Sequence, residues 1–294
     1  MNFRRYIPGD SYYTEAQLIS DWVFLAQRYK GTAVMGADLW NEPKRESSWG
    51  TGNLQTDWNS AAERIGNAIL AVNSDWLIFV EGIGEGTWWG GNLLGVASNP
   101  VVLSVPNKLV YSVHEYCQDV HNQTWFLDPI FPDNLRTVWE RFFGYIVRQQ
   151  IAPMWVGEFG TAFRYPLSRI WLSKWVEYMN GEYSIDGVSE LPPNHLGLSW
   201  CFWSVTPGGD VGGIFKDDWL TIESEKMSLI SVAMGDALYT IDRNVAFISP
   251  PLNKTSVVPM PTAAPTSRPR FLNTSGNQIV TDTGHYARLT GVNW

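Results

Sequence analysis

The stretch Gly36–Pro43, "GADLWNEP", decides the fold. An apolar, strand-like run ends there in an amide, a carboxylate and a proline, where a plain turn would be commoner. Proline cannot continue a helix and keeps the residue before it extended, so Glu42 is expected to leave the strand extended and project its carboxyl into a cleft. Outward from this stretch, similar apolar runs recur at Ala33–Trp40, Trp76–Glu81, Leu109–His114, Pro153–Glu158 and Leu196–Trp203. Such runs are expected when both faces of a strand are buried. Amphipathic segments alternate with them. Asp57–Val72 places Trp58, Ala61, Ile65, Ile69 and Val72 on one face, Leu135–Gln149 and Ser168–Asn180 behave similarly, and an earlier helix, Glu15–Lys30, precedes the first strand. This βαβα alternation predicts a parallel sheet, open or closed into a barrel.

Composition narrows what such a sheet can serve. With 294 residues, 45% hydrophobic and 17% charged, the chain can bury a large core. Its formal net charge of −8 argues against a nucleic-acid partner, which needs a basic face to displace counterions. The 16 Trp, 12 Tyr and 13 Phe exceed the usual needs of such a core. Most are expected to be core filler, and some to form exposed stacking platforms. Cys117 and Cys201 fit neither a disulfide framework nor a paired-Cys zinc site. His114, His121, His195 and His285 lack the ligand spacing of H-E-x-x-H, so no metal or other cofactor is expected. No apolar run reaches the roughly 18 residues of a membrane span, and no signal-peptide h-region is found in this chain.

From Pro250 the composition changes. "PPLNKTSVVPMPTAAPTSRPR" is rich in Pro, Thr and Ser and reads as an extended linker over 250–270. After it, residues 271–294 are expected to form two strands joined by a turn at Thr281–Gly284, the second running straight to the chain end.

In parallel α/β folds chemistry collects at the carboxyl edge of the sheet. The predicted strands end in Asn41 and Glu42, in His114 and Tyr116, in Glu158 and in Trp203. Any one of these alone is more simply a capping or salt-bridge partner, but together they converge on one rim. Two carboxyl groups facing each other suit glycoside hydrolysis, in which one protonates the leaving oxygen while the other attacks the anomeric carbon. Asn41 can hydrogen-bond a sugar hydroxyl, Tyr116 can hold Glu158 ionised and aimed, and Trp203 offers a flat face to a pyranose.

The motifs "DLWNEP", "HEY", "WVGEFGT" and "CFWS", in this order and spacing, resemble glycoside hydrolase family 5, especially its bacterial-type endoglucanases. "LIFVEG", "WWGGNLLG" and "GGIFKDDW" extend the resemblance over roughly Ser11 to Ile248. It implies a (β/α)8 TIM barrel and retaining hydrolysis of β-1,4-glucan, with Glu42 as general acid/base and Glu158 as nucleophile. It further implies substrate contacts from Asn41, His114, Tyr116 and Trp203, a cleft lined by Trp88 and Trp89, and an extracellular location. "WSVTP" departs from the family, whose close members carry Trp-Asn after the serine. The five strands correspond to the family's strands four to eight. The barrel is therefore expected to be truncated, with strands two and three missing and a strand-one-like segment at the C-terminus. The organisation expected is a partial catalytic barrel at 1–249, the linker at 250–270 and a hairpin at 271–294 resembling the start of a second domain. The expected partner is β-glucan, with the chain a monomer or part of a longer multidomain chain. The alternative is an inactive or carbohydrate-binding remnant. In a closed barrel strand one lies beside strand eight, so Arg288–Asn293 is expected to dock parallel to Leu198–Trp203 and cover that exposed edge.

Overall fold

The computed structural model describes residues 13–43, 46–84, 90–181, 191, 195–207, 211–234 and 272–292. Helix α1 (Glu15–Arg28) opens on a capping box, the Thr14 side chain accepting from Gln17 N–H while the Gln17 side chain accepts from Thr14 N–H. Strand β1 (Gly36–Asp38) follows, then α2 (Trp58–Val72), β2 (Leu77–Glu81) and β3 (Leu109–Tyr116). The predicted helix over Leu135–Gln149 is interrupted: α3 (Leu135–Trp139) and α4 (Tyr145–Arg148) flank a π-helical turn at Glu140–Gly144. Next come β4 (Met154–Gly160), α5 (Pro166–Met179), β5 (Ser199–Phe202) and α6 (Ser224–Val232), the last not anticipated from the sequence.

Strands β1 to β5 pair in parallel in chain order, as the alternation of strands and helices requires. One face carries the helices. Ile78, Val80, Tyr111, Val113 and Val156 are buried there with Ile65 and Ile69 of α2. In this layer Trp58, Trp139, Trp171, Trp175 and Trp200 are fully buried. Trp139 meets Trp175 edge-on with ring centroids 4.8 Å apart. On the opposite, inner face, Leu77, Phe79 and Val110 form a smaller cluster with Ile279.

The C-terminal segment differs from the two strands expected. It forms β6 (Leu272–Ser275), β7 (Gln278–Thr281), β8 (Tyr286–Ala287) and β9 (Thr290–Val292). The expected first strand is broken by a turn at Gly276, whose φ of 55° suits glycine, while the predicted turn at Thr281–Gly284 is present. The expected second strand is divided. β8 joins β6 and β7 in an antiparallel sheet, whereas β9 pairs parallel with β5, Trp200 opposite Thr290 and Phe202 opposite Val292. The expected docking of the tail on the "LSWCFW" edge is thus observed. The small sheet closes the amino end of the strands. Thr274 N–H donates to Asn107 O (2.8 Å), Asn277 Nδ2 to Val147 O (2.8 Å) and Arg288 Nε to Leu198 O (2.8 Å). Among the described residues, no ladder joins β1 to β9, so the six-stranded sheet is an open, partial barrel.

Candidate active site

At the other end of the sheet, each site residue is aimed by a local feature. Along β3, Tyr111 and Val113 are buried against the helices, while His114 and Tyr116 reach Glu158. Strict alternation along β4 would send Glu158 to the helix side with Val156. It does not, because the register with β3 shifts: Val113 is opposite Val156, yet His114 is opposite Glu158. Gly157 is the extra residue of a β-bulge that returns Glu158 to the inner face. A Cβ on Gly157 would lie 3.1 Å from His114 Nε2, so glycine also leaves room for the imidazole.

Glu42 departs from the extended conformation expected before a proline. Its φ is 53°, in the left-handed region that a glutamate adopts only when its surroundings hold it there. Two contacts do so. Glu42 N–H donates to Glu81 Oε2 (2.9 Å), and Glu42 Oε1 lies 3.0 Å from His114 Nδ1.

His114 is the hub. It is almost fully buried, with Nε2 3.4 Å from Glu81 Oε1 and Nδ1 3.4 Å from Glu158 Oε2. Burial works against its charge, but Glu81, Glu42 and Glu158 outweigh that and raise the imidazole to about 10. Burial raises the Glu158 carboxyl, while imidazolium and a hydrogen bond from Tyr116 O–H pull it back and Glu42 pushes it up. The groups acting on Glu158 are thus His114, Tyr116 and Glu42. Burial also raises Glu81, with His114 opposing and Asp38 and Glu42 reinforcing. Asp38 is raised to about 7 by burial, with His114 lowering it and Glu158 raising it. Asp38 keeps an exposed surface on the edge strand, so water tempers that effect.

Of the predicted site residues, Glu42, His114, Tyr116 and Glu158 form one connected cluster. Trp203 follows β5, its N–H donating to Phe159 O (2.9 Å), and keeps 37% of its surface exposed rather than joining the core. Asn41 is exposed beside Glu42. Trp88 and Trp89 lie outside the described residues. Glu81 belongs to the cluster but was given no role from the sequence. Its only signal there is a carboxylate ending an otherwise apolar run, "LIFVE".

One ligating atom each from Glu42, His114 and Glu158 lies within 4.8 Å of the others, close enough to share a cation. In the structure the imidazole Nδ1 faces both carboxyl groups, 3.0 Å from Glu42 Oε1 and 3.4 Å from Glu158 Oε2, a geometry that serves ion pairing. Two carboxyl groups at this separation, one hydrogen-bonded by a phenol and both facing an imidazolium, can serve as a nucleophile and a proton donor.

The family model described as cellulase (glycosyl hydrolase family 5) matches residues 4–209, more than half of the chain. An endoglucanase of Paenibacillus polymyxa is 45% identical over 236 residues, covering 76% of this chain and 56% of the relative. The major extracellular endoglucanase of Xanthomonas campestris pv. campestris is 40% identical over 238 residues, covering 76% of this chain and 46% of the relative. This chain thus spans about half the length of these curated relatives. The solved catalytic domain of the Xanthomonas enzyme superposes with a TM-score of 0.67 at 38% identity, covering 77% of this chain and 64% of that one. An endocellulase from Pyrococcus horikoshii, solved in complex with cellotetraose, superposes with a TM-score of 0.68 at 37% identity, covering 78% and 66%. On the family match and these identities, the chain belongs to the cellulase family, glycosyl hydrolase family 5.

Proposed function

We propose that this chain hydrolyses internal β-1,4-glucosidic bonds of cellulose or a related β-glucan by a retaining double displacement, with Glu158 as nucleophile and Glu42 as general acid/base. The observation that carries this reading is the pair of carboxyl groups with oxygens within 4.8 Å of one another across His114. That separation suits direct attack on the anomeric carbon, because inverting enzymes leave a wider gap of roughly 6.5 to 9.5 Å for a water. Glu158 attacks the anomeric carbon as Glu42 gives its proton to the departing glycosidic oxygen. A water then enters, Glu42 takes its proton, and the sugar–Glu158 bond breaks with retention. Tyr116 O–H orients Glu158, Asn41 reaches a sugar hydroxyl, and Trp203 stacks on the pyranose. Trp88 and Trp89 are further sugar contacts on the family resemblance alone. In the same reading, residues 1–249 are the catalytic unit and 250–270 a linker, and the protein works outside the cell, as the Xanthomonas relative's name states of that enzyme. No described helix is long and apolar enough to cross a membrane.

The test is release of new reducing ends from soluble β-glucan, with a matching fall in viscosity. The chain should release them, Glu158→Gln should not, and both should retain glucan binding. The open edge between β1 and β9 favours a second reading, binding without turnover. Binding with no release by the parent chain would establish it.

A further inference from the structure

Glu81 sits at the end of β2, fully buried, and both of its carboxyl oxygens face the catalytic cluster. Oε2 accepts from Glu42 N–H (2.9 Å) and Oε1 faces His114 Nε2 (3.4 Å). Its backbone carbonyl is fixed by Trp58 Nε1 (2.8 Å), which ties it to helix α2. Gly90 makes room for it: with φ 69°, that residue would place a Cβ 2.2 Å from Glu81 Oε2. Gly90 also closes the base of the next loop, its carbonyl accepting from Gly82 N–H (2.9 Å), and Gly84 N–H reaches back to Pro43 O (2.9 Å).

A buried carboxylate is costly unless something requires it. Here it offsets two further costs. The left-handed Glu42 backbone would relax without an acceptor for its N–H. The buried imidazolium would lose one of the anions that hold it between Glu42 and Glu158.

We propose that Glu81 is a positioning residue for Glu42, fixing the backbone of the acid/base and the imidazole behind it in one arrangement. The inference rests on Glu42 acting as acid/base. It assigns Glu81 no contact with substrate.

Three variants separate the possibilities. Glu81→Ala removes both contacts, Glu81→Gln keeps an acceptor for Glu42 N–H but loses the charge facing His114, and Gly90→Ala crowds Glu81 without altering it. On soluble β-glucan, whose leaving group needs a proton, Glu81→Ala should lower kcat about 10²-fold with KM nearly unchanged. On a dinitrophenyl cellobioside, whose leaving group needs none, the loss in kcat/KM, which reports the first displacement and not the later step in which Glu42 takes a proton from water, should be about tenfold or less. In Glu81→Gln the His114 ring should lose its proton at lower pH than in the parent. Glu42, Glu158 and Asp38 still face His114 there, but with one anion fewer the imidazole gives up its proton sooner. Gly90→Ala should follow Glu81→Ala in direction. Equal losses on both substrates would show a merely structural carboxylate and overturn the proposal. Glu42→Gln separates this from the underlying reading: if its kcat/KM too falls equally on both substrates, Glu42 is not the acid/base. An activity-independent measurement closes the gap. NMR titration of the His114 ring should place its proton loss at lower pH in Glu81→Gln than in the parent, and an unchanged titration overturns the inference.

Discussion

The two ends of the same sheet are built on opposite terms. At the carboxyl end, four acidic side chains surround one imidazolium, three of them are held above the ordinary carboxylate range, and Glu42 takes a left-handed backbone. At the amino end, a short antiparallel sheet from the C-terminal segment covers Leu77, Phe79 and Val110 with Ile279, and buried polar groups such as Thr274 and Asn277 meet partners. The difference teaches where this fold spends stability and where it gains it. Like charges and strain persist at one end because the surrounding strands over-determine them, while the other end is closed by ordinary burial.

Substitutions at the two ends should therefore separate activity from stability. The largest effect is expected at Glu158. Glu158→Gln should lower kcat by at least about 10³-fold while leaving the melting temperature equal or higher, since it removes one of the crowded carboxyls. Kinetics and calorimetry on the same sample would show it, and a parallel loss of stability would break the comparison. At the opposite end, Ile279→Ala should cost about 2–4 kcal/mol in chemical denaturation, with kcat in the folded fraction little changed. A smaller effect, about 1–3 kcal/mol in glucan affinity, is expected for Trp203→Ala, whose half-open ring contributes little to the core.

The smallest expected effect sharpens the contrast from a third place. Glu115 lies on the helix face of β3, fully buried, its Oε1 accepting from Trp139 Nε1 (2.9 Å). Burial raises its carboxyl well above the usual range, against the pull of the Trp139 and Trp171 indoles. The sign follows from linkage. A carboxyl raised in the folded state stays protonated there after its unfolded counterpart has ionised. Its contribution is thus fully present below the unfolded pKa and is lost as pH rises toward the folded value. Glu115→Gln is neutral throughout, so its melting temperature should gain on the parent by about 2–4 °C between pH 4 and pH 8. A constant difference across that range would contradict the assignment.

The parallel order of β1 to β5 was legible because apolar runs and amphipathic segments alternate cleanly, and the β5–β9 pairing followed from the neighbours a barrel strand must have. Convergence of Glu42, His114, Tyr116 and Glu158 was legible from their common place at strand ends. The aim of each was less so. Glu158 faces inward only through the bulge at Gly157, which a glycine inside an apolar strand hints at and alternation alone denies. Glu42 left the extended backbone expected beside Pro43 because Glu81 holds its N–H from 39 residues away. The division of the tail between two sheets depends likewise on distant partners. Arg288 reaches Leu198, 90 residues earlier, and Asn180, 108 residues earlier, and no local pattern encodes either.

The central claim, that Glu158 attacks sugar while Glu42 protonates the leaving group, is tested most directly by trapping. A 2-deoxy-2-fluoro-β-cellobioside with a good leaving group slows the second displacement more than the first, so a retaining enzyme accumulates the sugar on its nucleophile. Mass spectrometry of the intact chain, followed by peptide mapping, should find one fluorocellobiosyl group on the peptide containing "WVGEFG", attached at Glu158. Hydrolysis of the reagent with no adduct, or an adduct on Glu42 or Glu81, would contradict the account.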